Sequence, residues 1–369
     1  MAQSKVYFTS MRAAGYEPLP DKMMRLALAA GIGGIEFQDK FTAIKLHFGE
    51  DGNLAFLRPD YARALVEYVK SRGGKPFVTD ASTLYPGARK NALDHLDVAY
   101  RHGYNPFQLG CHTIIADGLK GDDEAVVDIG GEYVKHAKIG RAVVDSDVFL
   151  SLNHFKGHEG TGFGGALKNI GMGCGSSAGK AEMHESEKPT ADPETCIGCG
   201  VCVENCAHDA VHLVSGKAHV NFDRCVGCGR CIGVCPTKAM EPSAENGCEL
   251  LSRRVTEYAY AVLKDRPHFH ITLVVDVSPF CDCYGNNDAP IVPDVGMFAS
   301  FDPVALDKAC VDAVNAQPVS EDSLLGMKKF QKRRDHLYTL HPDTKWEAGI
   351  EQGVRIGLGT SEYELVTVE

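Results

Sequence analysis

The sequence predicts an α/β fold, a mostly parallel sheet with crossover helices, interrupted by an inserted α+β module that is rich in cysteine. Apolar segments of strand length alternate with amphipathic helical segments over roughly the first 170 residues. Eight cysteines then fall within residues 196–235. The same alternation resumes after residue 250, so we interpret the cysteine-rich stretch as an insertion into one α/β domain.

The first half of the chain has its strands and helices in the order of a parallel sheet with crossover connections. The clearest helix spans residues 59–72, because Pro59 starts it, Leu65 and Val69 share one side, and two glycines follow it. We expect strands at 5–10, 41–48, 76–79, 113–116 and 147–152, and helices at 21–30, 59–72, 88–102 and 140–145.

The second half contains the insertion and the return to the α/β pattern. The turn-rich residues 173–179 and the polar residues 182–194 are typical of a linker, and residues 242–247 lead out of the module. We expect helices at 250–263 and 302–315, strands at 268–277, 295–300 and 363–368, and a packing role for Trp346. The predicted division is 1–184 and 246–369 for the α/β domain and 185–245 for the insert.

Composition narrows the class of protein. The 369 residues carry a net charge of -11, which argues against general nucleic-acid binding. No apolar run approaches the roughly 20 residues of a membrane helix. Residues 1–10 lack the layout of a signal peptide, and the cysteine motif requires reduced thiolates, so we expect a cytoplasmic protein. The basic residues between 328 and 334 are interpreted as the solvated face of a helix.

The pattern C-x2-C-x2-C-x3-C occurs twice, and each cysteine of the second run lies 29 residues after its counterpart in the first. A loop with a thiolate at every third residue can wrap one corner of an iron-sulfur cube. The alternatives are a disulfide knot or a zinc ribbon, although tetrahedral zinc favours two separated pairs of cysteines. The eight cysteines are Cys196, Cys199, Cys202, Cys206, Cys225, Cys228, Cys231 and Cys235.

Over about 50 residues this stretch resembles the two-cluster bacterial ferredoxins. The resemblance implies that Cys196, Cys199, Cys202 and Cys235 hold one [4Fe-4S] cluster, and that Cys225, Cys228, Cys231 and Cys206 hold the other. The first run ends in Cys206-Ala207, whereas the second ends in the expected Cys235-Pro236. We expect Gly198, Gly200, Gly227 and Gly229 to leave backbone N–H groups free to approach the sulfides.

Polar side chains lie at the end of one predicted strand and directly after two others. Because parallel strands end at one edge of a sheet, we expect these side chains to form one pocket. They are Lys45, His47, Asp80, His154, Lys156 and His158. The alternative for the last three is a solvated loop.

A glycine-led helix start follows the last of these strands and carries Lys168 and Asn169. Its free N–H groups suit an anion such as a carboxylate or phosphate. We therefore expect a small anionic ligand held by Lys45, Lys156 and Lys168, with His154 or His158 moving protons.

Two further features lie in the second half. Cys281 and Cys283 have C-x-C spacing, with Cys174 as a candidate distant partner, and these thiols bind a further metal, lie against a cluster or are buried apolar residues. Asp302 precedes Pro303, which is the pattern of an ordinary helix N-cap.

Outside the cysteine motif the chain resembles the family called domain of unknown function 362, whose members often carry a ferredoxin insert. The strings AIKLHFGE, VTDASTLYPGARKNA, LSLNHFKGHEGTGFGGALKNIGMG and SFDPVALDKAC carry the likeness, from about residue 5 to 315. The resemblance implies the eight polar residues above, together with Asp302, as the site. The layout is also distantly similar to the lactate racemase group, which uses His and Lys on an α/β scaffold.

Two functions follow from these features. The first is an iron-sulfur oxidoreductase or electron-transfer protein of anaerobic metabolism, with two [4Fe-4S] clusters, a redox partner protein and a small-anion site. The second is a ferredoxin-like carrier, or a metal or cofactor maturation factor, that docks a partner protein. A basic, buried pocket favours the first and a shallow polar surface the second. The sequence shows no recognisable flavin or nicotinamide motif.

Overall fold

A computed structural model describes residues 3–13, 15–85, 87–227, 229–243, 246–328 and 335–369. Cys228 and the basic residues 329–334 lie outside the described residues. The described part contains one large sheet, several short hairpins and helices on both faces of the sheet.

The strands and helices have the following bounds. The strands are β1 (Ser4–Ser10), β2 (Phe41–Lys45), β3 (Lys75–Asp80), β4 (His112–Ile115), β5 (Glu124–Asp128), β6 (His136–Gly140), β7 (Val148–His154), β8 (Lys156–His158), β9 (Gly162–Gly164), β10 (Pro189–Ala191), β11 (Val211–Val214), β12 (Lys217–Val220), β13 (Met240–Pro242), β14 (His268–Val274), β15 (Gly296–Ser300) and β16 (Tyr363–Thr367). The α-helices are α1 (Leu19–Ala29), α2 (Pro59–Ser71), α3 (Ala92–Arg101), α4 (Pro106–Leu109), α5 (Arg141–Val144), α6 (Ala166–Cys174), α7 (Ser177–Met183), α8 (Val201–Glu204), α9 (Arg230–Gly233), α10 (Gly247–Leu263), α11 (Pro303–Asn315), α12 (Leu324–Met327), α13 (His336–Leu340) and α14 (Glu347–Arg355). Ile32–Gly34 and His184–Glu187 are 3-10 helices.

The main sheet, as far as the chain is described, has eight strands in the order β16-β1-β15-β14-β7-β2-β3-β4. β15 is antiparallel to both of its neighbours, and every other adjacent pair is parallel. The carboxyl ends of all strands except β15 therefore lie at the same edge. This arrangement confirms the predicted α/β class with a mostly parallel sheet.

Apolar cores lie on both faces of this sheet. Ala43 and Ile44 are neighbours in β2, so their side chains point to opposite faces. Ile44 packs with Leu65 of α2 in one core, while Ala43 lies in the other core with Val255 of α10. Trp346, at the start of α14, is buried in the second core as expected, and its ring N–H donates to Asp335.

The cysteine-rich segment lies between α7 and α10. β10 pairs with β13, and β11 pairs with β12. The short helices α8 and α9 each follow a cysteine loop, and they too are 29 residues apart, like the cysteines. On either side of this segment the chain returns to one sheet, because β7 pairs in parallel with β14.

Several elements differ from their predicted bounds. The helix expected at 88–102 begins only at Ala92, because the Asn91 side chain accepts hydrogen bonds from the Leu93 and Asp94 N–H groups and caps it there. The strand expected at 41–48 ends at Lys45, and the one expected at 268–277 ends at Val274. The strand expected to end at 152 continues to His154.

Several elements were not expected. The hairpins β5–β6 and β8–β9 are too short to show a clear alternating pattern. Residues 177–183, predicted as part of a turn-rich linker, form α7, whose start is capped when the Ser176 hydroxyl accepts from the Gly179 N–H. Among the described residues, no helix combines the length and apolar character needed to cross a bilayer.

Candidate functional site

The first group of cysteines surrounds one small recess in the cysteine-rich segment. Its lining includes Cys196, Cys199, Cys202 and Cys235. Burial raises the pKa of Cys202, and the neighbouring thiols of Cys199 and Cys235 add to the effect. The second run of cysteines thus contributes one side chain to the recess of the first.

The second group of cysteines likewise includes one cysteine from the other run. Burial raises the pKa of Cys225, and the nearby thiol of Cys206, from the first run, also raises it. Backbone N–H groups approach the sulfurs: Gly227 N lies 3.4 Å from Cys225 Sγ, and Ala210 N lies 3.2 Å from Cys206 Sγ. Cys196, Cys199, Cys202, Cys206, Cys225 and Cys235 form no disulfide bond among themselves.

The glycines of the cysteine loops are required by backbone geometry. Gly198 and Gly227 have φ angles of 67° and 74°. A Cβ at Gly198 would lie 2.2 Å from the Gly216 carbonyl oxygen, and one at Gly227 would lie 2.0 Å from that of His184. These two positions therefore need glycine for the fold of the segment as well as for access to the thiols.

A cavity of about 930 Å³ lies between the strand ends of the main sheet and the cysteine-rich segment. Its lining includes Cys235 and Arg230 on one side and seven of the eight predicted polar residues on the other. Nine Lys or Arg and five Asp or Glu line it, counted over the described residues, in a chain whose net charge is -11. The seven predicted residues are Lys45, His47, Asp80, Lys156, His158, Lys168 and Asn169.

Asp80, at the end of β3, organises one wall of the cavity. Lys45 Nζ lies 2.9 Å from Asp80 Oδ1, and Arg89 lies 3.3 Å from Oδ2. Arg89 also contacts Glu50 at 3.3 Å. Burial opposes the charge of Asp80, but Lys45 and His95 together hold its pKa well below the usual range.

Asp282 organises the opposite wall. It lies 2.9 Å from His154 Nδ1 and 3.1 Å from Lys156 Nζ. The other ring nitrogen of His154 lies 2.9 Å from the Val275 carbonyl oxygen. Both partners of the ring are hydrogen-bond acceptors. His154 and Lys156 therefore share the one carboxylate.

His154 itself does not line the cavity, so the expectation of one pocket for all six strand-end residues is wrong for this residue. It continues the alternation of Leu150 and Leu152, which pack on the face opposite to Ala43 and Lys45. Both ring nitrogens are occupied by fixed partners, which leaves His154 as a support for Asp282.

Asp302 is also absent from the cavity lining. Because β15 is the reversed strand, its carboxyl end lies at the opposite edge of the sheet. Asp302 caps α11 as expected, by accepting from the Val304 and Ala305 N–H groups at 2.9 Å.

The start of α6 is capped from within the protein, which corrects the expectation of free N–H groups there. Asp307 of α11 accepts from Ala166 N at 2.6 Å and from Leu167 N at 2.9 Å. Burial raises the pKa of Asp307 to about 7. Asn169 is also engaged, because its amide contacts Lys45 Nζ at 2.8 Å and Asn153 Oδ1 at 2.7 Å.

Cys281 and Cys283 face the same cavity, together with His158. The two sulfurs and a ring nitrogen of His158 lie within 4.8 Å of one another. A hydrogen bond from Cys283 and the ammonium groups of Lys168 and Lys156 lower the pKa of the Cys281 thiol. Cys174 is not part of this group, and burial raises its pKa to about 12.

Two histidines in the cavity are neutral at physiological pH. Burial and the Arg89 guanidinium hold the pKa of His47 well below its ordinary value. Burial does the same for the pKa of His158. Nδ1 of each ring accepts a backbone N–H, from Gly49 to His47 and from Gly160 to His158, so each neutral ring carries its hydrogen on Nε2.

Sequence reasoning missed Arg89, Glu159 and Tyr284 as lining residues. Arg89 is 1% exposed and is anchored through its charge pairs. Glu159 accepts from the Tyr284 hydroxyl at 2.6 Å, which brings two loops together across the cavity. Arg89 and Glu159 both stand inside the family-like strings, but no local signal joins Glu159 to Tyr284, 125 residues away.

Comparison with known proteins identifies the family. The model of the family described as domain of unknown function (DUF362) matches residues 42–312. A ferredoxin from Pyrobaculum islandicum is 35% identical over 66 residues, covering 18% of this chain and 62% of the ferredoxin.

Two solved structures are similar in part. A protein from Thermotoga maritima has a TM-score of 0.42 at 12% identity, covering 83% of this chain and 60% of that one. The lactate racemase apoprotein from Thermoanaerobacterium thermosaccharolyticum has a TM-score of 0.36 at 11% identity, covering 74% of this chain and 51% of that one. The chain spans less than two thirds of the ferredoxin and of both structures.

Proposed function

The chain belongs to the DUF362 family, and we propose that it is an iron-sulfur protein that holds two [4Fe-4S] clusters beside a cavity for a small anion. One observation carries the proposal: Cys196, Cys199, Cys202 and Cys235 surround one recess although Cys235 belongs to the second run. This is the crossed ligand pattern of a two-cluster ferredoxin. The similarity to a ferredoxin over 66 residues supports it.

When bound, such clusters supply one-electron transfer at a potential set by hydrogen bonds and solvent access. The chain's own residues prepare the thiolates for this role. Backbone N–H groups of Ala218 and Gly227 lie 3.4 Å from Cys196 Sγ and Cys225 Sγ. Such donors stabilise negative charge on sulfur.

The crossed pattern can be tested by counting iron in double variants. Cys199→Ala with Cys235→Ala removes two ligands of one proposed cluster, so about four irons per chain should remain. Cys199→Ala with Cys206→Ala removes one ligand from each cluster and should lose most of the iron. If instead the first double variant loses most of its iron and the second keeps about half, each run holds its own cluster. Cys248→Ala, a thiol on the rim of the cavity, is the matched control and should keep all the iron.

The anion site is supported by the charges of the cavity. His154 and Lys156 share Asp282, and Lys45 and Arg89 share Asp80 and Glu50. Lys168 adds a further ammonium group, and basic residues outnumber acidic ones in the lining. A buried excess of positive charge attracts an anion. Lys156 and Lys168 would hold a carboxylate or phosphate group, and the Nε2–H of neutral His47 would be a further donor to it.

The anion can be identified by denaturing anaerobically purified protein and analysing the molecules it releases. We expect about one carboxylate- or phosphate-bearing molecule per chain, because the described residues place this charge excess in one cavity. Lys156→Met should lose it. Lys345→Met, at the exposed rim, should keep it. A protein that releases no such molecule, and that saturates with neither inorganic phosphate nor acetate, would favour the carrier function.

A further inference from the structure

A pair of thiols at the cavity has no role in cluster binding or in anion binding as described above. Cys281 and Cys283 follow β14 in a loop, at C-x-C spacing. Both line the cavity, and Cys281 is 1% exposed while Cys283 is partly exposed. Their sulfurs lie within 4.8 Å of each other. The two thiols are thus close together, and both border the cavity.

A cation stabilises one of the two sulfurs. Lys168 Nζ lies 3.3 Å from Cys281 Sγ and donates a hydrogen bond to it. Burial opposes the charge of Lys168, but the sulfurs of Cys281 and Cys283 raise the pKa of its ammonium group. The other buried thiols differ, since burial raises the pKa of both Cys174 and Cys310. Cys281 is therefore the thiol of this group that is prepared to react as a thiolate.

The hydrogen bonds of His158 decide between a metal site and a reactive thiol pair. Its Nδ1 accepts from the N–H groups of Gly160 at 3.0 Å and Thr161 at 3.1 Å. The neutral ring then carries its hydrogen on Nε2. A histidine that binds a metal normally donates from its other nitrogen, whereas here the other nitrogen accepts. The Nε2 that a metal ion would need therefore carries a hydrogen, and this arrangement near the two sulfurs suits a thiolate better than a metal ion.

We propose that Cys281 and Cys283 form a redox-active pair that cycles between dithiol and disulfide, with Cys281 as the attacking thiolate and Cys283 as the resolving thiol. The Cys281 sulfur attacks one sulfur of an incoming disulfide, whose S–S bond breaks and whose other half leaves and takes up a proton. Cys283 then loses its proton and attacks the Cys281 sulfur, which releases the second half as a thiol. The two cysteines lose two electrons, and the incoming disulfide gains them.

The segment that carries the pair is fixed against the cysteine-rich module. Tyr284 follows Cys283, and the Arg230 guanidinium lies 4.8 Å from the centre of its ring. A Cβ at Gly233 would lie 2.6 Å from the Tyr284 hydroxyl oxygen, so a larger residue in α9 would require the Tyr284 side chain to shift. The pair therefore stands at the boundary between the α/β domain and the module. The redox pair itself does not depend on bound iron.

The pair can be tested on the whole, anaerobically prepared protein with mixtures of reduced and oxidised dithiothreitol. After acid quenching and alkylation, the mass of the peptide that carries Cys281 and Cys283 reports whether two labels or none are present. We expect a single transition from two labels to none, with Cys174 and Cys310 labelled throughout. Two labels at every ratio, or a stoichiometric zinc ion retained by the pair, would overturn the proposal.

Lys168→Met provides a second test of the redox pair. If Lys168 had only a structural role, its replacement would not shift the equilibrium between dithiol and disulfide. Loss of the ammonium group destabilises the reduced thiolate, so the equilibrium should move toward the disulfide by about tenfold, which is about 30 mV for a two-electron couple. Lys180→Met is the matched control, because Lys180 is another buried lysine of the same cavity whose ammonium group donates to the Gly175 carbonyl. The control should leave the transition unmoved. An equal shift in both variants would contradict the role of Lys168.

Discussion

At the scale of single residues, the cavity is defined by charges that hold one another in place. Asp80 is 2% exposed and is surrounded by Lys45, Arg89 and His95. Asp282 is fully buried between His154 and Lys156. The sequence predicted most of these residues because they follow strands. It did not predict their partners, since His154 and Asp282 are 128 residues apart and no local pattern joins them.

Asp80→Asn should destabilise the protein by about 3–5 kcal/mol, because it leaves two buried cations without their shared carboxylate. Urea unfolding followed by circular dichroism measures the effect. Asp60→Asn is the control, since Asp60 forms only an exposed pair with Arg63, which contributes about 0–1 kcal/mol. Equal losses of unfolding free energy in the two variants would mean that the ion pairs of Asp80 contribute no more to stability than a surface ion pair does.

The difference in unfolding free energy between the wild type and Asp80→Asn should depend on pH, because the pKa of Asp80 is lowered in the folded protein. A carboxyl whose folded-state pKa lies below its unfolded value of about 3.9 contributes its full stabilisation above that value and loses it as the pH falls toward the folded pKa. The stability difference between the wild type and Asp80→Asn should therefore be constant from about pH 5 to 8 and narrow below about pH 4. A difference that already narrows near neutral pH would contradict this assignment.

At the scale of elements, α6 is the helix that brings the two halves of the site together. Its start is capped by Asp307 of α11, and Asn169 joins it to β2 through Lys45. The glycines preceding it predicted a helix start, but they do not leave room for an anion. A Cβ at Gly165 would lie 2.3 Å from Asp307 Oδ1, so the glycine is there for the internal carboxylate.

Gly173→Ala should destabilise the protein although alanine favours a helix more than glycine by about 0.5–1 kcal/mol. The added Cβ would lie 2.6 Å from Lys45 Nζ and would displace it from Asp80. Thermal unfolding should show a lower midpoint for this variant. Gly34→Ala, where the added Cβ meets nothing within 4 Å, should be nearly neutral. A midpoint for Gly173→Ala at or above that of the wild type would show that Lys45 has another favourable position.

Helices and strands could be told apart from the sequence wherever the periodic pattern of apolar residues was long. The helix at Pro59–Ser71 and the strand at Ser4–Ser10 have almost the predicted bounds. The three-residue strands β8 and β9 were not predictable, because pairing rather than sequence pattern defines them. The reversed direction of β15 was also hidden, since strand direction depends on the connection across the sheet. That reversal is the reason Asp302 lies away from the cavity.

At the scale of the whole molecule, an acidic chain carries a basic cavity where its α/β domain meets the cysteine-rich module. The cysteine spacing predicted the module, because cluster ligation fixes the distance between thiolates along the chain. The spacing could not predict the cavity, which requires both halves of the α/β domain and the insert. Cys235 lines the cysteine recess and also the cavity, so the module and the cavity share a boundary residue.

The most direct test of the account is the content of iron, acid-labile sulfide and zinc in anaerobically purified protein. Two [4Fe-4S] clusters predict about eight irons and eight sulfides per chain, with the broad visible absorption of sulfide-to-iron charge transfer. Stoichiometric zinc without labile sulfide, and without that absorption, would contradict the iron-sulfur assignment.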